Sequence, residues 1–314
     1  MSNQTLLKHL LLTTAIPTIP IVYWTYWSRD QRREHFIQQQ AKRQNKVPNV
    51  QSLDDLLMEK VMPGDILLFD RRCHLCQTPL AALACLSNQK FLVGDDNNDY
   101  NNYGNNAIMG NNSGRFDHVG VVVPHPDKDS MNDPDPEPYL LEYTPQDGIV
   151  ARPLLERVEL SRSRSILLLP LSLPGERRGR GDSSSLDDSN VNLTTQQSEL
   201  IREKMNERLN NFRANYENMK GIQNMHSTLS LFGSLAYWLG LHEKFSFLPV
   251  NPSSFFAVSA MQEAGVALNV EQRAALNAKA EDFLRDHRFQ ETESVRLRPG
   301  FRFMKPFAVR ENSN

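Results

Sequence analysis

Cysteine is scarce in this chain of 314 residues: Cys73, Cys76 and Cys85 are the three present, close together in the N-terminal third. An odd, clustered set does not read as the disulfide framework of a small secreted domain. Cys73-His74-Leu75-Cys76 has the CxxC spacing of zinc and redox sites, but no second ligand pair follows for tetrahedral zinc. The parallel strand–helix rhythm that a thioredoxin-type site needs is missing as well. The sequence therefore reads these cysteines as small apolar residues on or just before a helix over 78–86. Charge of one sign is also lacking. With 35 Lys and Arg against 37 Asp and Glu, the net charge is −2, so no overall field steers the chain to nucleic acid. Gly-rich phosphate loops are absent, and nothing implies a nucleotide, metal or flavin cofactor.

One long uncharged run stands against these absences. Leu10 to Trp27 carries no charged residue and is followed by Arg29, Arg32, Arg33, Lys42, Arg43 and Lys46. About 18 apolar residues are the minimum for a membrane-spanning helix. Pro17 and Pro20 kink such a helix, which membrane proteins tolerate. Tyr23, Trp24, Tyr26 and Trp27 gather at its end like an interfacial belt. No small-x-small site follows for cleavage of a secretory signal. The basic cluster after the run, against Lys8 before it, predicts a single-pass anchor with the following domain cytosolic. A targeting segment, mitochondrial in kind although early arginines are missing, is one alternative, and an amphipathic or packed helix is the other.

Composition divides the chain into an anchor or targeting segment at 1–28, a polar spacer at 29–60 and one domain at 61–310. At 39% hydrophobic content the chain can bury one good core. A capped short helix at 52–57 leads into the Pro63-Gly64 turn. Strands are predicted over 65–69, 118–123, 139–143, 149–153 and 166–171, with a strand-like end within 296–309. Two insertions interrupt the domain. One lies near 95–114, with eight asparagines and three glycines, and the other near 175–195, rich in Arg, Gly and Ser. The basic run of the second has no interleaved aromatics and does not read as a nucleic-acid patch. Helices are predicted over 195–219 and 270–288. The apolar stretch 229–241 is too short to span a bilayer and reads as a buried helix.

Chemistry gathers at three positions. Asn251-Pro252-Ser253-Ser254-Phe255-Phe256 opens a helix that stops at Gly265, and the sequence places Pro252 and Ser253 at its cap. A hydroxyl there lies beside the positive end of the helix dipole. His118 heads the strand His118-Val119-Gly120-Val121-Val122-Val123. Glu142 lies between Leu141 and Tyr143, which strand alternation sends to the opposite face. Ser253, His118 and Glu142 are the ingredients of a nucleophile–base–orienter triad.

The order of these pieces resembles the circularly permuted branch of the NlpC-type papain-like hydrolases, the YiiX-like proteins related to the lecithin-retinol acyltransferase group. Those chains run from a "pGDil" strand through "HvGivv" and "iEa…gGv" strands to a helix "CSelva…aGi". Here the matching segments are Met62-Pro63-Gly64-Asp65-Ile66-Leu67, Asp117-His118-Val119-Gly120-Val121-Val122, Leu141-Glu142-Tyr143 with Gly148-Ile149-Val150, and Ser253-Ser254-Phe255-Phe256-Ala257 with Ala264-Gly265-Val266. The resemblance covers roughly residues 60 to 310. It implies an α+β fold, a small antiparallel sheet packed against helices, with the N-terminal anchor outside it. It also implies His118 as base and Glu142 as orienter, with Ser253 replacing the nucleophilic cysteine. A hydroxyl needs a better-aligned base and a stronger oxyanion hole than a thiol does. The expectation is a membrane-tethered domain whose site is degenerate. One alternative is an active Ser-His-Glu amidase, esterase or acyltransferase; the other is a non-catalytic scaffold that binds a lipid, acyl or peptide group.

Overall fold

The computed structural model describes residues 22–34, 37–38, 60–76, 82, 85–86, 116–125, 137–144, 148–176, 195–217, 232–233, 236, 239–241, 244–245, 247–269, 271–284 and 294–310. The short helix expected at 52–57, the insertion at 95–114 and most of the insertion at 175–195 lie outside these residues. So do most of 78–86 and much of 229–241.

Gly64, at φ 94°, makes the left-handed turn expected of Pro63-Gly64 and delivers the chain into β1, Ile66–Arg71. Then come β2 (His118–Val123), β3 (Tyr139–Thr144), β4 (Gly148–Pro153), β5 (Ser163–Leu169), β6 (Leu171–Ser172), β7 (Arg302–Phe303) and β8 (Phe307–Arg310). Six of them form one antiparallel sheet in the order β4-β3-β2-β1-β5-β8, while β6 pairs β7 separately. The helices are α1 (Leu154–Glu159), α2 (Thr195–Glu217), α3 (Pro252–Glu263) and α4 (Gln272–Leu276). The protein is thus α+β, with an antiparallel sheet packed against helices.

Strand alternation divides the core into two layers. Ile66, Leu68, Val119, Val121, Val123, Leu141 and Tyr143 join Phe256, Ala257 and Met261 of α3 and Leu209 of α2 on one face. Leu67, Phe69, Val122, Leu140 and Ile166 join Leu154 and Val158 of α1 on the other. Gly120 sits where no side chain fits, since a Cβ there would lie 2.9 Å from Leu140. Two helical expectations need correction. Of the helix predicted over 270–288, the described residues form the five-residue α4 and then a 3-10 turn, Ala280–Phe283. Helix α1, which falls between two predicted strands, was not anticipated.

Residues 22–34 are helical. Among the described residues no helix is long and apolar enough to cross a membrane, and residues 10–21 of the uncharged run lie outside them. This helix docks on the turn after β1. Ser28 is fully buried, the Trp27 and His74 rings are 5.4 Å apart, and Arg32 Nη1 donates to the Cys76 carbonyl at 2.6 Å. In that turn Cys73 is bonded to Cys85 as a disulfide, with Cα atoms 5.4 Å apart. Both are buried, as packing residues are, but they are bridged. The CxxC pair is not, and Cys76 is a free, half-buried thiol.

Candidate functional site

His118 and Glu142 meet. The register pairs Phe69 with His118 and Gly120 with Glu142, which puts these side chains on one face of the sheet. His118 Nε2 and Glu142 Oε2 are 2.7 Å apart, and both side chains are buried. Arg157, from α1, grips the same carboxylate in a fork, Nε to Oε1 and Nη2 to Oε2 at 3.0 Å. Its Cζ lies 4.6 Å from the centre of the Phe69 ring, and that ring is tilted against His118 with centroids 5.7 Å apart. Short α1 is what places Arg157 over β3.

Electrostatics fix the protonation states. Burial alone would push the Glu142 carboxyl up, but the Arg157 guanidinium, and then the His118 imidazole, hold it well below the usual carboxylate range. Burial, and after it the Arg71 guanidinium, pushes His118 down, against the bond to Glu142. A neutral ring beside an ionised carboxylate must carry its proton on Nε2, because the carboxylate only accepts. Nδ1 therefore holds the lone pair. This is the tautomer a general base requires.

Ser253 is placed differently. Asn251, not Ser253, is the N-cap of α3, and Pro252 takes the first helical position. Asn251 Oδ1 accepts from Ser253 N at 3.2 Å, from Ser254 N at 3.3 Å and from Ser253 Oγ at 2.8 Å. Asn251 Nδ2 donates to the Asp117 carbonyl at 3.2 Å, tying the helix start to the start of β2. Ser253 Oγ in turn accepts the Val119 N–H at 3.2 Å. Helix α3 lies on the Val119 face of the sheet, whereas the His118 ring lies on the α1 face. Among the described residues no hydrogen bond joins Ser253 Oγ to the His118 ring. The structure thus brings together two of the three expected residues and sets the third beside the backbone of the residue after His118.

Two consequences follow for chemistry. The Ser253 proton is directed at Asn251, and among the described residues no base receives it. The N–H groups of Ser253 and Ser254, which would face an oxyanion at a nucleophile on this helix, are already bonded to Asn251. On the same side of the sheet, Ser254 Oγ and Tyr143 Oη are buried with no hydrogen-bond partner among the described residues, and burial pushes the Tyr143 hydroxyl up to about 12.

Sequence reasoning missed Arg157 and Asn251. Asn before Pro at a helix start is a cap signature, and Pro153 followed by Leu154 and Val158 at helical spacing marks α1. No family model matches the chain, and neither a curated protein nor a solved structure matches it.

Proposed function

We propose that this is a membrane-tethered domain of the permuted papain-like type whose hydrolytic site is degenerate, so that it binds a lipid, acyl or peptide group and does not cleave it. The observation that carries the reading is the pair of hydrogen bonds at Ser253 Oγ, given to Asn251 and received from Val119. Such a hydroxyl closes the helix onto the strand and is a poor nucleophile. The antiparallel sheet, with α3 following it in the chain, supports the papain-like assignment, and the placement of His118 and Ser253 on opposite faces of the sheet counts against it. The uncharged run from Leu10 and its aromatic end support the tether, with the domain on the cytosolic side.

A second reading has one observation in its favour. His118 and Glu142 form the base–carboxylate half of a Ser-His-Glu site, with the ring in the required tautomer. A fluorophosphonate probe separates the two readings, since it labels only an activated serine. The degenerate site predicts no labelling of Ser253. Labelling that disappears in both Ser253→Ala and His118→Ala would establish the active triad instead.

A further inference from the structure

The chain is nearly neutral overall, yet its arginines are not evenly spread. Around the turn Cys73–Leu75 and Cys76, five guanidiniums converge from three segments. Arg32 Nη1, from the helical residues 22–34, donates to the Cys76 carbonyl at 2.6 Å. Arg162 Nη1, from the loop before β5, donates to the Leu75 carbonyl at 3.0 Å. Arg72 precedes the turn, and its side chain makes no cap hydrogen bond. Arg164 is bound to Asp70 at 3.0 Å, and Arg71 to Asp117 at 2.7 Å. The two carboxylates thus answer two of the five cations. Among the described residues Arg32, Arg72 and Arg162 form no ion pair. Their crowding is felt locally. After burial, Arg72 and Arg164 push the His74 imidazole down, and Arg32 does the same to Arg162.

Exposed apolar side chains lie on the segments that carry two of these cations, Arg32 and Arg162. Tyr23 and Tyr26 on the docked helix are 71% and 67% exposed, with Val22 and Trp27 beside them. Leu160 directly precedes the Ser161-Arg162 loop and is exposed; Leu86, also exposed, follows the disulfide-bonded Cys85. Exposed aromatic and aliphatic side chains, on segments that also carry half-buried arginines without ion pairs, match a bilayer interface, where the rings sit at headgroup level and the guanidiniums meet phosphate. The helix itself adds Arg29 and Arg33 against Asp30 and Glu34.

We propose that the Cys73–Cys76 turn and the helix docked on it form a surface that binds the anionic headgroups of a phospholipid bilayer, holding the domain flat against the membrane. The proposal rests on the reading of the N-terminal run as a tether, which brings this side of the molecule to the bilayer. Its test uses the full chain, floated with phosphatidylcholine vesicles or with vesicles part-replaced by phosphatidylserine. The expected result is binding to both, stronger to the anionic vesicles, with the excess screened by added salt. Arg72→Glu with Arg162→Glu weakens the anionic binding by at least about 25-fold, at roughly fivefold for each of the two guanidiniums lost near a charged surface. Arg72→Gln alone, which disturbs no side-chain hydrogen bond of the turn, lowers it by about fivefold, and Arg72→Lys restores it. Equal binding to neutral and anionic vesicles, unchanged by the Arg72 variants, overturns the headgroup surface and leaves the tether standing. Binding to neither overturns both.

Discussion

At the scale of single residues, the buried His118–Glu142–Arg157 cluster is the strongest polar feature of the domain. Glu142 is the only anion among the three, and removing its charge leaves Arg157 buried against Phe69 without its partner. Glu142→Gln is expected to cost about 3–5 kcal/mol in urea unfolding, the range for breaking a buried ion pair. The pH dependence follows from the two shifts. Glu142 is held below its ordinary value, so its contribution is present above about 4.3 and is lost as the pH falls from there. His118 is also pushed down, and the unfolded chain binds its proton first. Stability from this residue is therefore full above about 6.5 and declines as the pH falls below that. Unfolding midpoints measured from neutral pH downward should fall in both ranges for the wild type, and the lower-range loss should shrink in Glu142→Gln. An undiminished loss below about 4.3 in that variant would remove Glu142 from the explanation. Glu142 and His118 could be found in sequence because alternation exposes a charge inside an apolar strand. Their partner Arg157 could not be found while α1 was unread.

At the scale of elements, the sheet was legible and the short helices were not. The pattern His118-Val119-Gly120-Val121-Val122-Val123 is a buried central strand, and β2 has the predicted bounds. The predicted strand 166–171 is divided by Pro170, which leaves β5 to end at Leu169 and β6 to form a separate pair with β7. Helix α1 has six residues, too few for periodicity to stand out between two strands. For α3 the sequence places Pro252 and Ser253 at the cap, just past Asn251, although Asn before Pro is itself a cap signature. Asn251 also anchors the helix to β2, so its removal reaches beyond one cap. Asn251→Ala should lower stability by about 1–2 kcal/mol in the same assay, the upper part of the range for a lost cap. Asn251→Asp keeps the acceptor of the Ser253 and Ser254 N–H groups but sets a carboxylate oxygen against the Asp117 carbonyl, so it should recover only part of that loss. No loss in Asn251→Ala would mean that the helix start is held by something other than this side chain.

At the scale of the whole molecule, sequence and structure agree on an α+β domain with an antiparallel sheet, and they part over what the sheet separates. Four motifs in the right order predict which elements are neighbours. They do not predict which face of the sheet each side chain takes at the strand end, where β2 and β3 stop pairing at Gly120 and Glu142. That detail decides the chemistry, because it puts the His118 ring toward α1 and Ser253 toward the start of α3. The N-terminal helix adds a feature that composition could not reveal. Its Arg32 meets the turn that Arg162 also holds, by the Cys76 and Leu75 carbonyls. The central claim is that Ser253 sits in a structural hydrogen-bond network with no base among the described residues to activate it. The most direct measurement is the reactivity of Ser253→Cys, with iodoacetamide alkylation followed by peptide mass spectrometry near neutral pH. The account predicts a thiol with a pKa no lower than the free value of about 8.5, alkylating no faster than a free cysteine and unaffected by His118→Ala. A thiol of depressed pKa, alkylating quickly and slowed by His118→Ala, would contradict it.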